Sequence, residues 1–510
     1  MAPLPERNTA SEERENFVRS LPAGSHVHVS AVCGTGTGSV AKLLKDLGFK
    51  VTGSDKAFYP PMGDVVRGFL DKVYEGYSES NLSERPDLVV IGNNLSRGNP
   101  EVEFVLREGI PYASMPEVFG ALLAGSREDC PTSIIAAGTH GKTTTSAMIA
   151  TMLEVSGRKP GYFVGGVPTT LPGSVRAVDK SIAPEKRCVV FEGDEYDSAF
   201  FAKWPKFHSY RPDIVVFTSL EFDHADIYEC EDDIALEFTR LMQRVPKSGA
   251  VLLCDTYESL EDLGVGWDDH GILDASLYWY GAEKKSDFRI LKREQVQSGS
   301  EQRQKLKLKL RNGELEILTT ETGEHNAQNM LAAAAVGELV GLTPKEIKHG
   351  LEAYRGVLRR QVVVLESGGI TVIEDFAHHP TAVKLTLEGL RERYPDSRLI
   401  AVYEPRSNTS RRAFFQDAYG QAFSAADVIL IKKVEDAGGY SGTSTEIVAL
   451  DSNKLIAAYQ AAGKSAFTGT VSEMLGHLEK LIQPKDVVVV MSNGDFEGLL
   501  PKLLKLVKEK

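Results

Sequence analysis

The chain has 510 residues, 42% of them hydrophobic and 25% charged, the balance of a globular protein with ample core and roughly two to four domains. No apolar run approaches the ~20 residues that a membrane span needs, and the polar, acidic N-terminus predicts no signal peptide, so no membrane insertion is expected. A net charge of −13 argues against non-specific nucleic-acid binding, and five scattered cysteines without metal-ligand spacing (Cys33, Cys130, Cys188, Cys230, Cys254) predict a reduced, cytoplasmic compartment.

Residues 1–24 read as a loose arm. A first α/β unit is expected over 25–126. Residues 26–32 alternate and are β-branched, which predicts a strand; Cys33 to Ser39 is a glycine-rich turn, 40–47 an amphipathic helix, and 50–55 a strand ending in Asp55. That order is Rossmann-like. Gly34, Gly36 and Gly38 do not meet the Gly-x-Gly-x-x-Gly spacing, so a dinucleotide, another nucleotide or phosphate, and a bare tight turn all stay open. Residues 87–92 predict a buried strand running into a polar loop that contains Asn99, at the sheet edge where open α/β sheets bind ligands. Residues 110–114 predict a strand, and a helix follows near 117–123. The polar, turn-rich stretch 125–132 predicts the first boundary.

A second unit is expected over 127–355. Residues 134–137 predict a short buried parallel strand. Then come Gly138, Thr139, His140, Gly141, Lys142, Thr143 and Thr144, and a helical pattern. Strand, glycine turn, Gly-Lys-Thr and helix form a phosphate-binding grammar, although the general motif has a glycine where this chain has Ala136. Glycines admit a polyphosphate to the backbone, helix-start N–H groups face its oxygens, Lys142 would reach the β/γ-phosphates, and Thr143 would offer its hydroxyl to Mg²⁺. Predicted strands at 187–192 and 213–220 end in acidic clusters, Glu192 to Asp197 and Glu221 to Asp226. In a parallel sheet such ends share one edge, which would gather Lys142, Thr143, Glu192 and His224; carboxylates there suit Mg²⁺. Residues 305–319 predict a hairpin with an Asn312-Gly313 turn, cationic on one arm and acidic opposite. Residues 323–329 precede a helix over 330–340, and Thr343 caps another that opens with Pro344.

A second boundary is expected near 354–360, with a third unit over 356–510. Strands are predicted at 369–375, 398–403, 427–431 and 486–491, with a helix at 382–391 and polar motifs at strand ends. The fold class expected is therefore α/β, with three consecutive α/β domains: Rossmann-like, P-loop ATPase-like and Rossmann-like. The residues point to a Mg²⁺- and ATP-dependent enzyme whose reacting groups sit between domains. Ligase, kinase and motor chemistries all fit this fold. A separate first unit with its own glycine loop, several polar strand ends in the third unit and no recognisable coupling or nucleic-acid element favour a ligase.

The run Gly138 to Thr144, the run Glu192 to Asp197, the run Gly323 to Asn329, Arg359 with Arg360, and the run Asp375 to Thr381 stand in the order seen in the Mur ligases. The chain resembles that family from His26 onward. These enzymes build the peptide of bacterial peptidoglycan precursors. Two branches are close: one adds L-alanine to UDP-N-acetylmuramate, the other joins UDP-N-acetylmuramate to L-alanyl-γ-D-glutamyl-meso-diaminopimelate recovered from old wall. Gly92 to Pro100, Gly165 to Pro168, Glu195 to Phe201, Leu220 to Ile227 and Glu404 to Thr409 resemble the recycling branch. Ser492 to Gly498 departs from it, since those enzymes read closer to Gly-Gly-Phe-Gly-Gly, and Gln361 and Glu374 also differ.

The resemblance implies an acyl phosphate, formed when the lactyl carboxylate attacks ATP and consumed when an amine attacks its carbonyl. It implies that Lys142 holds the β/γ-phosphates, that Thr143 and Glu192 hold one Mg²⁺, and that His224 holds a second. His325 and Asn326 would lie near the adenine, Asn329 would also bind ATP, Asp375 would lie on the ribose, and Arg360 or Arg359 on the γ-phosphate. Gly34, Thr35, Gly36, Thr37, Gly38 and Ser39, with Asp55 and Asn99, would hold UDP. Arg406, with Ser407 and Asn408, would bind a carboxylate of the incoming peptide, because a guanidinium pairs such a group bidentately. No lysine lies between Asp226 and Lys247, so the carbamylated lysine of some branches is not expected. A monomer or weak homodimer is implied. An alanine-adding ligase and a non-catalytic UDP-sugar-binding protein remain the alternatives.

Overall fold

In a computed structural model, residues 9–58, 62–125, 131–269, 271–299, 301–435 and 448–510 are described. Three large sheets follow one another along the chain, with a two-stranded ribbon of Asp197–Ala199 and Ala202–Pro205 beside the second. The first has five parallel strands in the order Lys72–Glu75, Lys50–Asp55, His26–Ser30, Leu88–Ile91, Tyr112–Ser114. Its strand order reverses beside His26–Ser30, which opens a crevice at the C-terminal strand ends.

The central sheet has ten strands. Thr132–Ala137 lies between Cys188–Gly193 and Ile214–Phe217, parallel to both. Ala250–Cys254 and Ser276–Gly281 extend the parallel part, and an antiparallel run of Phe288–Ser298, Glu301–Leu310 and Gly313–Thr319 completes one side. The third sheet runs Val362–Ser367, Ile370–Asp375, Val487–Met491, Leu399–Tyr403, Val428–Lys432, Ser465–Gly469, with the first pair antiparallel and the others parallel. Every residue of Leu88–Ile91, Ile214–Phe217, Leu399–Tyr403 and Val487–Met491 is buried, as strands covered by helices on both faces must be. Three α/β units in series are the fold that the sequence predicts.

Several local expectations are corrected. Within the expected arm, Thr9–Ser20 is a helix, packed on the helix Met115–Leu122. Glu117, fully buried, accepts from Ser11 Oγ at 2.7 Å and from Arg14 Nη2 at 2.7 Å. The glycine-rich turn is shorter than expected, because the helix Thr35–Asp46 begins inside it. The long helix expected from residue 330 starts earlier, as Glu324–Leu339, so His325, Asn326 and Asn329 sit on its first turns. The hairpin forms, with Lys305–Glu316 and Lys307–Glu314 ion pairs. Leu310 pairs with Gly313, so its two loop residues are Arg311 and Asn312 rather than Asn-Gly. Thr343 caps Pro344–Ala353 as expected, and Glu346 returns a bond that makes the cap reciprocal. Cys130 and most of the first expected boundary lie outside the described residues.

One apolar core runs continuously from the first sheet into the central one, from Val27 and Val40 to Phe217 and Leu331. The third unit has its own cores, one on each face of its sheet.

Candidate active site

The strand Thr132–Ala137 delivers the chain into a turn at Gly138, φ +131°, and Gly141, φ +82°, caps the helix Lys142–Val155. A Cβ at Gly138 would lie 2.4 Å from Thr218 Oγ1, and one at Gly141 would lie 2.6 Å from Asn329 Oδ1. Both positions therefore need glycine for space as well as for φ. Ala136 is still in the strand, paired with Glu192 and Val216, so the turn does not reach back to it.

Thr143 Oγ1 donates to Glu192 Oε1 at 2.8 Å, and Gly165 N donates to Glu192 Oε2 at 2.6 Å. Burial raises the Glu192 carboxyl above its ordinary range, more than Gly165 and Lys142 lower it. A hydroxyl beside a buried carboxylate that lacks full compensation fits a hard divalent cation such as Mg²⁺. The turn and the helix N-terminus beside it fit a polyphosphate. Lys142 Nζ donates to Gly138 O at 2.5 Å, Thr139 O at 3.1 Å and Glu195 Oε1 at 3.0 Å. Burial pulls its ammonium down, and Glu195 and Asp194 outweigh that, so it stays above the ordinary lysine value.

His224 has φ +54°, uncommon for a residue with a side chain. Its Nε2 lies 3.0 Å from Glu195 Oε1, and its N–H donates to Asp223 Oδ1 at 2.7 Å. Burial opposes the charged ring, but Asp223 and Glu195 win and push it up to about 9. Glu195 thus bridges Lys142 and His224. Asp194, Glu195 and His224 form a cluster with metal-ligand spacing, and Lys206 pairs with Asp194. The strand-end geometry does gather Lys142, Thr143, Glu192 and His224. The sequence reading missed Asp194, Glu195 and Lys206 as separate participants. The signal available was the acidic run after Glu192.

A cavity of about 240 Å³ opens beside the turn, between the central and third units. Thr139, His140, Thr144, His325, Asn326, Asn329, Arg360 and Asp375 line it. Burial lowers His325 to about 4, so its ring is neutral. Asn326 Nδ2 donates to Thr322 O at 2.9 Å, and Thr145 Oγ1 to Asn329 Oδ1 at 3.2 Å. Asp375 accepts from Gln361 N at 2.8 Å and Ala377 N at 2.7 Å, and burial raises its carboxyl. Arg360 reaches the turn, 3.4 Å from Thr143 Oγ1. Arg359 does not: it turns to Glu374 Oε1 at 2.9 Å and to the carbonyls of Ser492 and Gly494.

A second cavity of about 500 Å³ adjoins the first, and both are lined by Asp223, His224 and His378. Its wall includes Arg406, Ser407, Asn408 and, unforeseen, Arg411. Asn408 Nδ2 lies 3.4 Å from Asp226 Oδ2, and Ser407 Oγ bonds to Ser410 at 2.8 Å.

In the first unit, Gly34, Thr35 and Gly36 are exposed or half-exposed at a helix N-terminus, whereas Thr37, Gly38 and Ser39 are buried. Thr37 Oγ1 donates to Ala31 O at 2.6 Å, and a Cβ at Gly38 would lie 2.6 Å from Met62 Cε, so these two serve the packing of the turn. Ser39 meets Ser174 of the central unit at 2.8 Å. Asp55 accepts from Cys33 N at 2.8 Å, and Asn99 caps the helix Pro100–Glu108.

Comparison with known proteins matches the whole arrangement. Residues 26–127 match the description "Mur ligase family, catalytic domain", 136–337 "Mur ligase middle domain", and 359–494 "Mur ligase, glutamate ligase domain". The chain is 34% identical over 491 residues to the UDP-N-acetylmuramate–L-alanyl-γ-D-glutamyl-meso-2,6-diaminoheptandioate ligase of Escherichia coli K12, covering 95% of this chain and 98% of that one. It is 30% identical over 504 residues to the UDP-N-acetylmuramate–L-alanine ligase of Chlorobaculum parvum, covering 95% and 97%. The crystal structure of a murein peptide ligase from Psychrobacter arcticus aligns with a TM-score of 0.69 at 30% identity, covering 96% of this chain and 99% of that one. With these matches spanning nearly its whole length, the chain belongs to the Mur ligase family.

Proposed function

We propose that this ligase joins UDP-N-acetylmuramate to the tripeptide L-alanyl-γ-D-glutamyl-meso-diaminopimelate at the expense of ATP. The observation that carries this reading is the pair of adjoining cavities that meet at Asp223, His224 and His378. One borders a phosphate-binding turn. The other, about 500 Å³, is edged by Arg406 and Arg411, whose guanidinium groups suit the several carboxylates of such a tripeptide. The identity to the tripeptide ligase of Escherichia coli supports the same choice.

A carboxylate is a poor electrophile, so it must first acquire a leaving group. The lactyl carboxylate attacks the γ-phosphorus of ATP, forming an acyl phosphate and releasing ADP. The peptide amine then attacks the acyl carbon, a C–N bond forms, and phosphate leaves. Lys142 exchanges Glu195 for the β/γ-phosphates, and Arg360 approaches the γ-phosphate from the third unit. Thr143 and Glu192 would hold Mg²⁺, which when bound neutralises phosphate charge; His224 would hold a second ion. His325 and Asn326 would read the adenine, Asn329 would bind ATP beside the turn, and Asp375 would take the ribose. Gly34, Thr35, Gly36, Asp55 and Asn99 would hold UDP in the first unit's crevice. Arg406, Ser407 and Asn408 would take the peptide. Catalysis by this set is positioning and charge stabilisation. Among the described residues, Cys33, Cys188, Cys230 and Cys254 are unpaired and no helix is long and apolar enough to cross a membrane; the first of these facts supports a reducing, cytoplasmic setting.

Phosphate release with a panel of amines tests the assignment. Turnover is expected with the tripeptide and little or none with L-alanine, and robust turnover with L-alanine alone would overturn it. Lys142→Ala is expected to abolish ATP turnover while UDP-N-acetylmuramate still binds. Surviving turnover would remove the phosphate-turn assignment.

A further inference from the structure

Arg406 and Arg411 both line the second cavity, in different surroundings. Arg406 is exposed and lies against Gly494, where an added Cβ would come within 2.5 Å of both its Cδ and its Cζ. Arg411 is half-buried, and its Nη2 donates to Asn408 Oδ1 at 3.3 Å. Asn408 Nδ2 donates in turn to Asp226 Oδ2 at 3.4 Å, and the Tyr196 hydroxyl donates to the same oxygen. This run of contacts crosses from the third unit to the central one.

The backbone around it is held on both sides. Ala225 N–H donates to Thr409 Oγ1 at 3.3 Å, and its carbonyl accepts from Arg412 Nη1 at 2.8 Å. Arg411 N–H donates to Ser407 O at 3.2 Å, and its carbonyl accepts from Leu450 N at 2.8 Å. Asp226 follows Ala225 and stands two residues from His224, which lines both cavities where they meet. Arg411 is thus tied to that junction, whereas Arg406 stands on the exposed side, beside the run 492–498.

The tripeptide must bring its L-alanyl amine to the junction, where the acyl carbon is attacked. Counted from that amine, its first carboxylate is the α-carboxylate of the D-glutamyl residue, which the γ-linkage leaves free. The carboxylates of diaminopimelate come further out. A guanidinium takes a carboxylate through two parallel charge-assisted N–H bonds, which are shorter and stronger than a 3.3 Å bond to a neutral amide oxygen. A carboxylate entering the cavity can therefore displace Asn408 Oδ1 from Arg411.

We infer that Arg411 is the receptor for the D-glutamyl α-carboxylate, and that it selects γ-linked peptides in which this group is free. The inference rests on the reading of the chain as a tripeptide ligase. It disfavours two classes of amine. A peptide α-linked at its second residue has no carboxylate at this place, and a peptide amidated there leaves the guanidinium without an anion.

The experiment measures phosphate release by the full-length chain with ATP, UDP-N-acetylmuramate and one of three amines. These are the tripeptide, its isoglutaminyl analogue with a carboxamide in place of the α-carboxylate, and L-alanine. The wild type is expected to favour the tripeptide over the carboxamide by roughly 10–100-fold in kcat/KM, the scale of a hydrogen bond to a charged group. That preference is expected to vanish in Arg411→Met and to be partly kept in Arg411→Lys, which retains the charge without the fork. Arg406→Met is expected to lose activity on both peptides and to keep the preference. The preference is a ratio within one protein, so a partial loss of folded enzyme does not alter it, and the wild-type ratio needs no variant to fold. Equal use of the two peptides by the wild type, an undiminished preference in Arg411→Met, or its loss in Arg406→Met instead would each overturn the inference and leave the tripeptide reading standing. Turnover with L-alanine alone would overturn both.

Discussion

At the residue scale, Glu195 decides how the site rests. It is 1% exposed, yet it holds a lysine and a histidine at once. Its partner His224 has a folded-state value near 9, above the ordinary 6.5. A raised value means that the charged ring stabilises the nucleotide-free fold fully below about pH 6.5, and that this contribution is lost as the pH rises through about 9. Urea midpoints of the wild type and His224→Asn, measured from pH 6 to 10, are therefore expected to converge across that window. A constant difference would show that the charge of His224 contributes nothing. The run 492–498 offers a second case. Phe496 and Glu497 have φ of +51° and +50°, left-handed values that favour glycine, and Glu497 stands where the pattern Gly-Gly-Phe-Gly-Gly would put one. Glu497 also pairs with Lys432, which in turn holds Glu404. Glu497→Gly exchanges strain relief for a lost surface pair and a freer unfolded chain, so urea unfolding is expected to shift by less than about 1 kcal/mol. The run as a whole still borders the peptide cavity, since Asn493 lines it and Gly494 packs against Arg406.

At the element scale, the N-terminal helix shows what a sequence hides. Residues 1–24 look polar throughout, and Thr9–Ser20 has little apolar periodicity to announce a helix. What holds it is a long-range partner, Glu117, 103 residues from Arg14. Glu117 also accepts from Ser114 N at 2.8 Å in the cap of its own helix. One carboxylate therefore closes a cap and fastens an arm. Glu117→Ala strips both, and it leaves Ser11 and Arg14 facing an apolar wall, so a loss of about 3 kcal/mol is expected in denaturant unfolding. Removing residues 1–24 is expected to destabilise the first unit as well; unchanged stability on both counts would restore the arm to a passive role. The strands were legible for the opposite reason. Ile214–Phe217, Leu399–Tyr403 and Val487–Met491 are short apolar runs closed by turn residues, a signal that needs no partner. Helix starts were less legible. Thr35 and Glu324 begin helices within stretches rich in glycine and polar residues, because packing against Met115 and around Asn329 overrides local preference. The active-site turn itself was readable because its glycines and Lys142 are local, whereas Glu221 with His379, or Asp226 with Asn408, come together only when elements far apart in sequence meet.

At the scale of the whole molecule, the division of cores predicts which parts move together. The first and central units share a continuous apolar core, and the third has cores of its own. The central–third contact is close and mixed: Phe222 packs on the third unit's core, 4.9 Å from Phe414 between ring centroids, and polar contacts surround it. Arg293 forms a forked pair with Glu392, His379 reaches Glu221, and Gly389 meets Gly323 backbone to backbone. A Cβ on Gly389 would lie 3.2 Å from Gly323 Cα and 3.3 Å from both Gly323 N and Thr322 O. None of these atoms is the end of a flexible side chain, and Gly323 begins the helix that carries His325, Asn326 and Asn329. A large side chain at 389 must therefore push the helix Pro380–Arg393 away from that end of the cavity. Leucine is a better helix former than glycine, so the third unit itself should not lose stability. Gly389→Leu is accordingly expected to keep native helix content and a native third-unit unfolding transition, while ATP turnover falls by up to roughly 100-fold, the scale of loss that a ~1 Å misplacement of reacting groups brings. Small-angle scattering should report a more extended particle. Wild-type turnover would mean that the Gly323–Gly389 contact is not part of the working arrangement. Lost helix content would mean that the two units depend on each other for folding, against the separation of their cores.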